Sequence, residues 1–279
     1  MVFATLLALV KLSSESGVAL PEIMFWRQAV VLPVLLGWLA ATGGLHRLKT
    51  RRIGAHAGRA GIGMFSMIFN FGAPILLPLA ESTTLGFTTP LFAVLIAGII
   101  LRQHVGPWRW TAVALGFAGV LIIAQPGGGE PISHLGAASG LIAALFVAVI
   151  NFQIRDLGRT EEPITTVFWF AAFGTPMAAL ALPFFITPHD GYQWLLLIGI
   201  GLCGTLGQLL LTASLRYGAV ASIITMDYTA LVWATLYGWL VWDRLPTAST
   251  WFGAPLIVAA GIVIAWREHR LSRQTVLAS

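Results

Sequence analysis

The stretch "GAVASIITMDYTALVWATLYGWLVW", residues 218–242, contains a single charged residue, Asp227. A run of roughly 18 or more apolar residues is long enough to cross a bilayer as a helix. Taken alone, it could equally be a buried core helix. Its neighbours decide the matter, because similar runs recur at 64–80, 85–101, 110–124, 135–152, 164–186, 194–213 and 251–266. Of the 279 residues, 57% are hydrophobic and 10% are charged, against about 25% charged in a soluble domain. In lipid the backbone must satisfy its own hydrogen bonds, so the runs read as helices. A β-barrel would show alternating segments of about ten residues, and none is present. The expected fold class is an all-α integral membrane protein.

The net charge of +5 and the isoelectric point near 10 would suit nucleic acid if the charges were scattered, but they alternate. Arg47, Lys49, Arg51, Arg52 and Arg59 fall between spans two and three; Arg102 and Arg109 follow span four. Arg155 and Arg159 follow span six, Arg216 follows span eight, and Arg267, Arg270 and Arg273 lie in the tail. The opposite loops hold only Arg244, while Lys11 and Arg27 stand near the ends of spans one and two. By the positive-inside rule the crowded side is cytoplasmic. The expectation is ten transmembrane helices with both termini cytoplasmic, the lipid bilayer as partner and no nucleic acid. Cys203 is the only cysteine, and histidines 46, 56, 104, 134, 189 and 269 lie in or beside loops without ligand spacing. No metal site or cofactor is expected. The opening "MVFATLLALVKLSS" (1–14) shows no cleavable signal. As a first span it falls short of the roughly 20 residues a crossing needs, so the front of helix one is expected to be missing.

The chain also resembles itself. "FWRQAVVLP" (25–33) parallels "FWFAAFGTP" (168–176), "PLFAVLIAGIILRQHV" (90–105) parallels "ALVWATLYGWLVWDRL" (230–245), and "AGVLIIA" (118–124) parallels "AGIVIAW" (260–266). The three matches run in order at nearly one offset. Five helices per copy is an odd number, so the second copy must enter the membrane from the opposite side, the inverted-repeat plan of many transporters. The expected organisation is a first five-helix repeat at 1–125, a Gly/Pro-rich linker at 126–134, a second repeat at 135–268 and a cytoplasmic tail at 269–279.

Two long stretches carry a family likeness: "LPLAESTTLGFTTPLFAVLIAGIILRQHVGPWRWTAVALGFAGVLIIAQPG" (77–127) and "GQLLLTASLRYGAVASIITMDYTALVWATLYGWLVWDRLPTASTWFGAPLIVAAG" (207–261). The chain resembles the EamA-type branch of the drug/metabolite transporter superfamily. The likeness runs from "PEIMFWRQAV" (21–30) to "AWREHRL" (265–271). It implies ten helices in two inverted halves that carry small metabolites across a bacterial inner membrane, often outward. Within the superfamily the chain resembles the YddG-type exporters of aromatic and other neutral amino acids. It departs where the family ends span four with Gly-Glu-Arg, for here the residues are Arg102, Gln103 and His104; in the second copy the acid stands as Asp243.

Candidate substrate-binding residues follow from polarity at depth. Mid-helix Asp227 costs roughly 2.5–3.5 kcal/mol on insertion scales and should face protein or water. Ala230, Leu231, Ala234 and Gly238 share its helix face, a largely small stripe, while Tyr228 falls beside it. Asp227 is either a proton site, hence a coupling candidate, or a partner for a substrate ammonium, or a structural acid bonded to a neighbouring helix. Asn70 lines up with Gly63, Ser66 and Pro74, and Gln208 with Gly201, Gly204, Thr205 and Thr212. Such amides can bind a zwitterion or join helices. Trp26 and Trp169 are repeat mates that lie deep, fit for an aromatic cavity wall or for packing, whereas Trp108, Trp110, Trp194, Trp251 and Trp266 sit at span ends like an interfacial belt. Arg27 can receive a substrate carboxylate, or can pair with Glu22 or Glu81. Pro74 and Pro90 fit hinges or static kinks.

An intramembrane enzyme is disfavoured. "GAASG" (136–140) has no histidine within a span to act as its base, and Asp227 has no second mid-membrane acid for a dyad. A channel would show filter-like polar repeats. The function expected is a secondary transporter that exports small metabolites, amino acids first, by alternating access. The alternatives are a carrier for a drug, nucleoside or other metabolite, and then a channel.

Overall fold

The computed structural model describes residues 1–103, 105–124, 133–217 and 226–278, with side chains as far as residue 266. Most of the expected linker at 126–134, together with His104 and the side chains of the expected tail at 269–279, lies outside the described residues. Among the described residues every regular element is helical and there is no strand. In chain order the α-helices are α1 (Val2–Glu15), α2 (Leu20–Ala29), α3 (Val31–Ala41), α4 (Ile53–Leu76), α5 (Leu79–Gly86), α6 (Thr89–Leu95, continued by a π-helical turn, Ile96–Ile100), α7 (Pro107–Ala124), α8 (His134–Leu157), α9 (Pro163–Ala179), α10 (Gly191–Tyr217), α11 (Thr229–Trp242) and α12 (Ala248–Ala278), with short 3-10 helices at Leu45–Leu48 and Leu182–Phe184. Six described stretches are long and apolar enough to cross a membrane: Leu20–Ala41, Leu79–Ile100, Pro107–Ala124, His134–Leu157, Gly191–Tyr217 and Ala248–Trp266.

Proline explains why two of these stretches are broken helices. Pro33 has no N–H to give to the carbonyl of Ala29 four residues before it, and α2 ends at that residue. Pro90 leaves the Gly86 carbonyl without its helical donor, and the Thr89 hydroxyl donates to that oxygen at 2.7 Å. Near the end of α4 the carbonyl of Pro74 would need the N–H of residue 78, which is itself proline. Lys11 Nζ donates to the Pro74 oxygen at 2.9 Å, so the basic residue of α1 satisfies a backbone acceptor that lipid could not.

The helices form two compact units, residues 1–75 with 150–217 and residues 76–149 with 218–279. Each unit takes helices from both sides of the expected linker, so the compact units do not coincide with the stretches 1–125 and 135–268. In the first unit, Leu6, Val10, Ile23, Met64, Phe71, Phe170, Leu197 and Ile200 make one apolar core, and Val31, Leu35, Leu39, Ile164, Val167 and Ala171 join α3 to α9. Its turns are tied by polar contacts. Arg47 pairs with Glu162 and Arg52 with Asp156, while Thr50 Oγ1 donates to Glu161 Oε1 at 2.8 Å and Arg216 donates to the Glu161 carbonyl. At other turns of this unit buried Glu22 meets His189, and Gln193 Nε2 donates to the Ser16 carbonyl at 2.7 Å.

In the second unit, α7 and α12 approach to backbone contact. A Cβ on Gly119 would stand 2.7 Å from the Gly253 carbonyl oxygen, and one on Gly253 would stand 2.6 Å from the Gly119 oxygen. Leu91, Val94, Ala112, Val113, Ala260 and Ile264 fill the core beside this crossing. Buried Glu81 of α5 accepts from the Thr247 N–H at 2.9 Å and from Thr250 Oγ1 at 3.2 Å, placing a carboxylate at the positive N-terminal end of α12.

Two non-glycine residues among those described have positive φ, Arg102 at 51° and Asp243 at 50°. Each closes a helix by the same wide turn: the Gln103 N–H bonds the Ala97 oxygen at 2.9 Å and the Arg244 N–H bonds the Gly238 oxygen at 3.0 Å. A left-handed residue other than glycine costs roughly 1–2 kcal/mol, and aspartate tolerates it better than arginine. Exposed Arg102→Gly is therefore expected to stabilise the protein by about 1 kcal/mol, read as a rise in the midpoint of thermal unfolding. An unchanged or lower midpoint would show that the Arg102 side chain contributes more than its backbone costs.

The structure corrects one sequence reading. Arg59 and His56 are not loop residues. Both lie inside α4, with 1% and 0% of their surface exposed, so Arg59 does not belong among the charges of the loop between spans two and three.

Candidate functional site

Helix α2 brings two polar residues side by side into the first unit, Arg27 and Gln28, and both are buried. Arg27 Nη1 donates to Gln28 Oε1 at 2.8 Å, and Nη2 donates to Gln208 Oε1 of α10 at 3.2 Å. Among the described residues, Gln28 Nε2 has only the thioether of Met64 as acceptor, at 3.3 Å. From α9 comes Phe170, whose ring centroid lies 5.5 Å from the Arg27 guanidinium carbon and 4.1 Å from that of Arg59. Four helices thus converge on two cations, two carboxamides and one aromatic face.

Glycines make the room. A Cβ on Gly204 would stand 3.1 Å from Arg27 Cγ and Nε, one on Gly174 would stand 2.4 Å from Gln28 Nε2, and one on Gly63 would stand 2.6 Å from the Phe170 ring. The small stripe of Gly201, Gly204, Thr205, Gln208 and Thr212 is buried as one face of α10. It receives Val30 over Gly201 and Arg27 over Gly204. The small residues therefore accommodate a charged side chain as well as a close helix approach.

The electrostatics are unusual because no acid among the described residues joins the cluster. Neither carboxylate that the sequence offered to Arg27 reaches it, since Glu22 meets His189 and Glu81 caps α12. Among the described residues, neither Arg27 nor Arg59 has an acidic partner. Arg27 Nε and Arg59 Nε and Nη1 are buried without an acceptor, as are both ring nitrogens of His56. Arginine stays protonated in proteins. Taking one such ion out of water costs several kcal/mol, whereas stacking on an aromatic ring returns about 0.5–2 kcal/mol. One shared phenyl ring and two amide oxygens do not offset two guanidinium ions.

The other candidates are placed as follows. Trp169 Nε1 donates to the Leu48 carbonyl at 2.9 Å, with its ring tilted against Phe173 and 6.3 Å from His56. Trp26 stands edge-on to Phe25 and Trp194, its buried Nε1 without an acceptor. Asn70 is exposed, although Gly63, Ser66 and Pro74 of its stripe are buried. Asp227 and Tyr228 belong to the second unit. Ala234 and Gly238 of the Asp227 stripe are buried as the pattern required, but Asp227 itself is exposed just before α11. Tyr228 packs edge-on against Phe87 at 5.0 Å, and its hydroxyl occupies the space over Gly261, 1.8 Å from where a Cβ would stand. Of the candidates, Arg27 and Gln208 are brought into direct contact.

Gln28, Arg59 and Phe170 were not among the residues singled out from the sequence. A signal for Arg59 was present, because Gly63, Ser66 and Asn70 continue at helical spacing from it. Its apparent place in a basic loop hid that register. Phe170 follows Trp169 directly and carried no polar signal of its own.

Comparison with known proteins agrees with a carrier. The EamA-like transporter family matches residues 1–125 and 134–266. The chain is 30% identical to a riboflavin transporter of Vibrio cholerae, over 94% of this chain and 88% of that one. It is 29% identical to the pseudopaline exporter CntI of Pseudomonas aeruginosa, over 94% and 92%. With an S-adenosylmethionine uptake transporter of Rickettsia prowazekii it shares 25% identity over 88% and 81%. A crystal structure of a protein 20% identical in sequence matches with a TM-score of 0.65 over 97% of this chain and 96% of that chain, a likeness of fold.

Proposed function

The chain belongs to the EamA-like transporter family, and we propose that it is a secondary transporter moving a small organic metabolite across a bacterial inner membrane by alternating access. The observation that carries this reading is the buried Arg27–Gln208 hydrogen bond at 3.2 Å, set among guanidinium groups without a counter-ion among the described residues. Such a cluster is costly for a static protein and useful to one that takes up a polar solute. The relatives are named for riboflavin, pseudopaline and S-adenosylmethionine, and none of these names supports amino-acid export. Small metabolites are therefore the class proposed. Amino acids remain its first case, because Arg27 and Gln208 suit a carboxylate and aromatic rings stand nearby.

Ten spans in two inverted five-helix repeats, with both termini cytoplasmic, are part of the proposal. Repeat mates Arg102 and Asp243 end their helices with the same left-handed turn, which supports the repeat. The pairing of Arg47 with Glu162 puts the turn after α3 and the turn after α8 on one side. Glu22 with His189 does the same for the turns after α1 and α9, and Glu81 with Thr247 for those after α4 and α11. A ten-span chain needs each of these pairs to be on a common side.

The test is exchange in proteoliposomes preloaded with labelled phenylalanine, riboflavin or S-adenosylmethionine, with and without a pH gradient. Saturable counterflow of one of them is expected. Flux that rises linearly without saturation would point to a channel, and no flux of any of them with folded protein would sink the reading. Exposed Asp227 is proposed as the coupling group. Asp227→Asn is expected to keep exchange at equal pH and to lose its response to the gradient; an unchanged response removes Asp227 from coupling.

A further inference from the structure

We infer that the Arg27–Arg59 pair is a binding site for a carboxylate group, and that the transported solute carries one. This rests on the carrier reading and names the chemistry of its solute. Both guanidinium groups lie over one ring, Phe170, at 5.5 and 4.1 Å, so two like charges share one pocket of protein. Arg59 is 1% and Arg27 is 5% exposed, too buried for water to compensate them. Three of their N–H-bearing nitrogens, Arg27 Nε and Arg59 Nε and Nη1, have no acceptor. In Arg59 the two lie on different edges, Nε on the side edge that it shares with Nη2 and Nη1 on the end edge, so each edge that can receive a carboxylate keeps an unpaired nitrogen.

The amides fit the same guest. Gln28 and Gln208 both present oxygen to Arg27. This holds Arg27 in place, while the Gln28 amide nitrogen has only a sulfur to donate to. An incoming carboxylate would give Arg59 an acceptor and Gln28 one stronger than a thioether. The neutral oxygens of the carboxamides already hold Arg27 without neutralising it. A protein carboxylate at this position would close the site permanently, and none of the described acids is there. The arrangement is complete once an anion arrives with the solute, and it repels a solute whose only charge is positive.

The site can be tested before the solute is known. Thermal unfolding of the detergent-solubilised protein, followed by tryptophan fluorescence, is measured in sodium acetate and sodium benzoate against sodium chloride at equal ionic strength. Carboxylate is expected to raise the midpoint saturably, by roughly 2–4 °C, and chloride is expected to leave it unchanged. Arg59→Met removes the charge and keeps a polarizable side chain against Phe170. It is expected to unfold at a higher temperature than the parent without carboxylate, because an unpaired charge has gone, and to show no response to carboxylate. Arg59→Lys keeps the charge but not the fork, and should respond more weakly than the parent. Exposed Arg51→Met should behave as the parent does.

Three results would overturn the assignment: a flat carboxylate response in the parent, a full response in Arg59→Met, or an Arg59→Met protein less stable than the parent without carboxylate. A rise with inorganic phosphate and not with acetate or benzoate would also overturn it. Counterflow separates this inference from the carrier reading. A carboxylate response lost in Arg59→Met, in a protein that carries no solute, keeps the site and removes the carrier. Unchanged transport of an acid-free solute by Arg59→Met removes the site and keeps the carrier.

Discussion

Arg27→Ala is expected to abolish measurable transport and to lower stability by about 2–4 kcal/mol. The stability loss has two sources. Gln28 Oε1 and Gln208 Oε1 both accept from Arg27, and each buried acceptor left without a donor costs about 1–3 kcal/mol. The side chain also fills the space over Gly204, where its Cγ and Nε stand 3.1 Å from an added Cβ. Relief of the repulsion with Arg59 offsets part of both. Removing one partner of a buried charge-assisted contact costs about 2–5 kcal/mol in binding, a fall in solute affinity of about 30- to 5000-fold. The measurement is the half-saturation of counterflow alongside the unfolding midpoint. Gly204→Ala separates the two effects, because a methyl at 3.1 Å moves the guanidinium by tenths of an ångström without deleting it. That variant should fold near the parental midpoint and transport more weakly. Parental transport by Arg27→Ala would exclude Arg27 from the solute's path.

Gly119→Val is expected to destabilise the second unit by about 2–3 kcal/mol. The glycine hydrogen faces backbone: the Gly253 oxygen is 2.7 Å from the position of a Cβ, with Ile257 Cγ1 at 2.9 Å and Leu256 Cβ at 3.1 Å. A carbonyl oxygen in a helix cannot rotate away as a long side chain can, so α7 and α12 must separate along their crossing. Close backbone approach is a main source of helix association where lipid removes the hydrophobic driving force. Gly61→Ala in α4, with nothing within 4 Å of the new Cβ, is the contrasting case. It should be neutral or stabilising by up to about 1 kcal/mol, the helix propensity gained. Equal midpoints for the two variants would show that the α7–α12 crossing does not require glycine.

The sequence determined a good deal unaided. Long apolar runs require helices, because a backbone in lipid has no other donor or acceptor. Pro33 and Pro90 determine where two of those helices break, for the missing N–H is a covalent fact. The small stripe of α10 and the small stripe of α11 could both be read as inward faces, since 3.6-residue periodicity is local. Family membership was likewise legible in residues 77–127 and 207–261. What the sequence alone could not decide was partnership. Whether Arg27 would meet Glu22, Glu81 or neither depends on contacts between residues far apart in the chain. The fold gives Glu22 to His189 and Glu81 to the start of α12, so Arg27 is left with Gln28 and Gln208. Arg59 looked like one more loop charge until α4 was seen to begin at Ile53 and bury it. A lone basic residue beside a basic loop has the same local signature whether solvated or enclosed, and only the packing of α9, with Phe170 over both guanidinium groups, distinguishes the two.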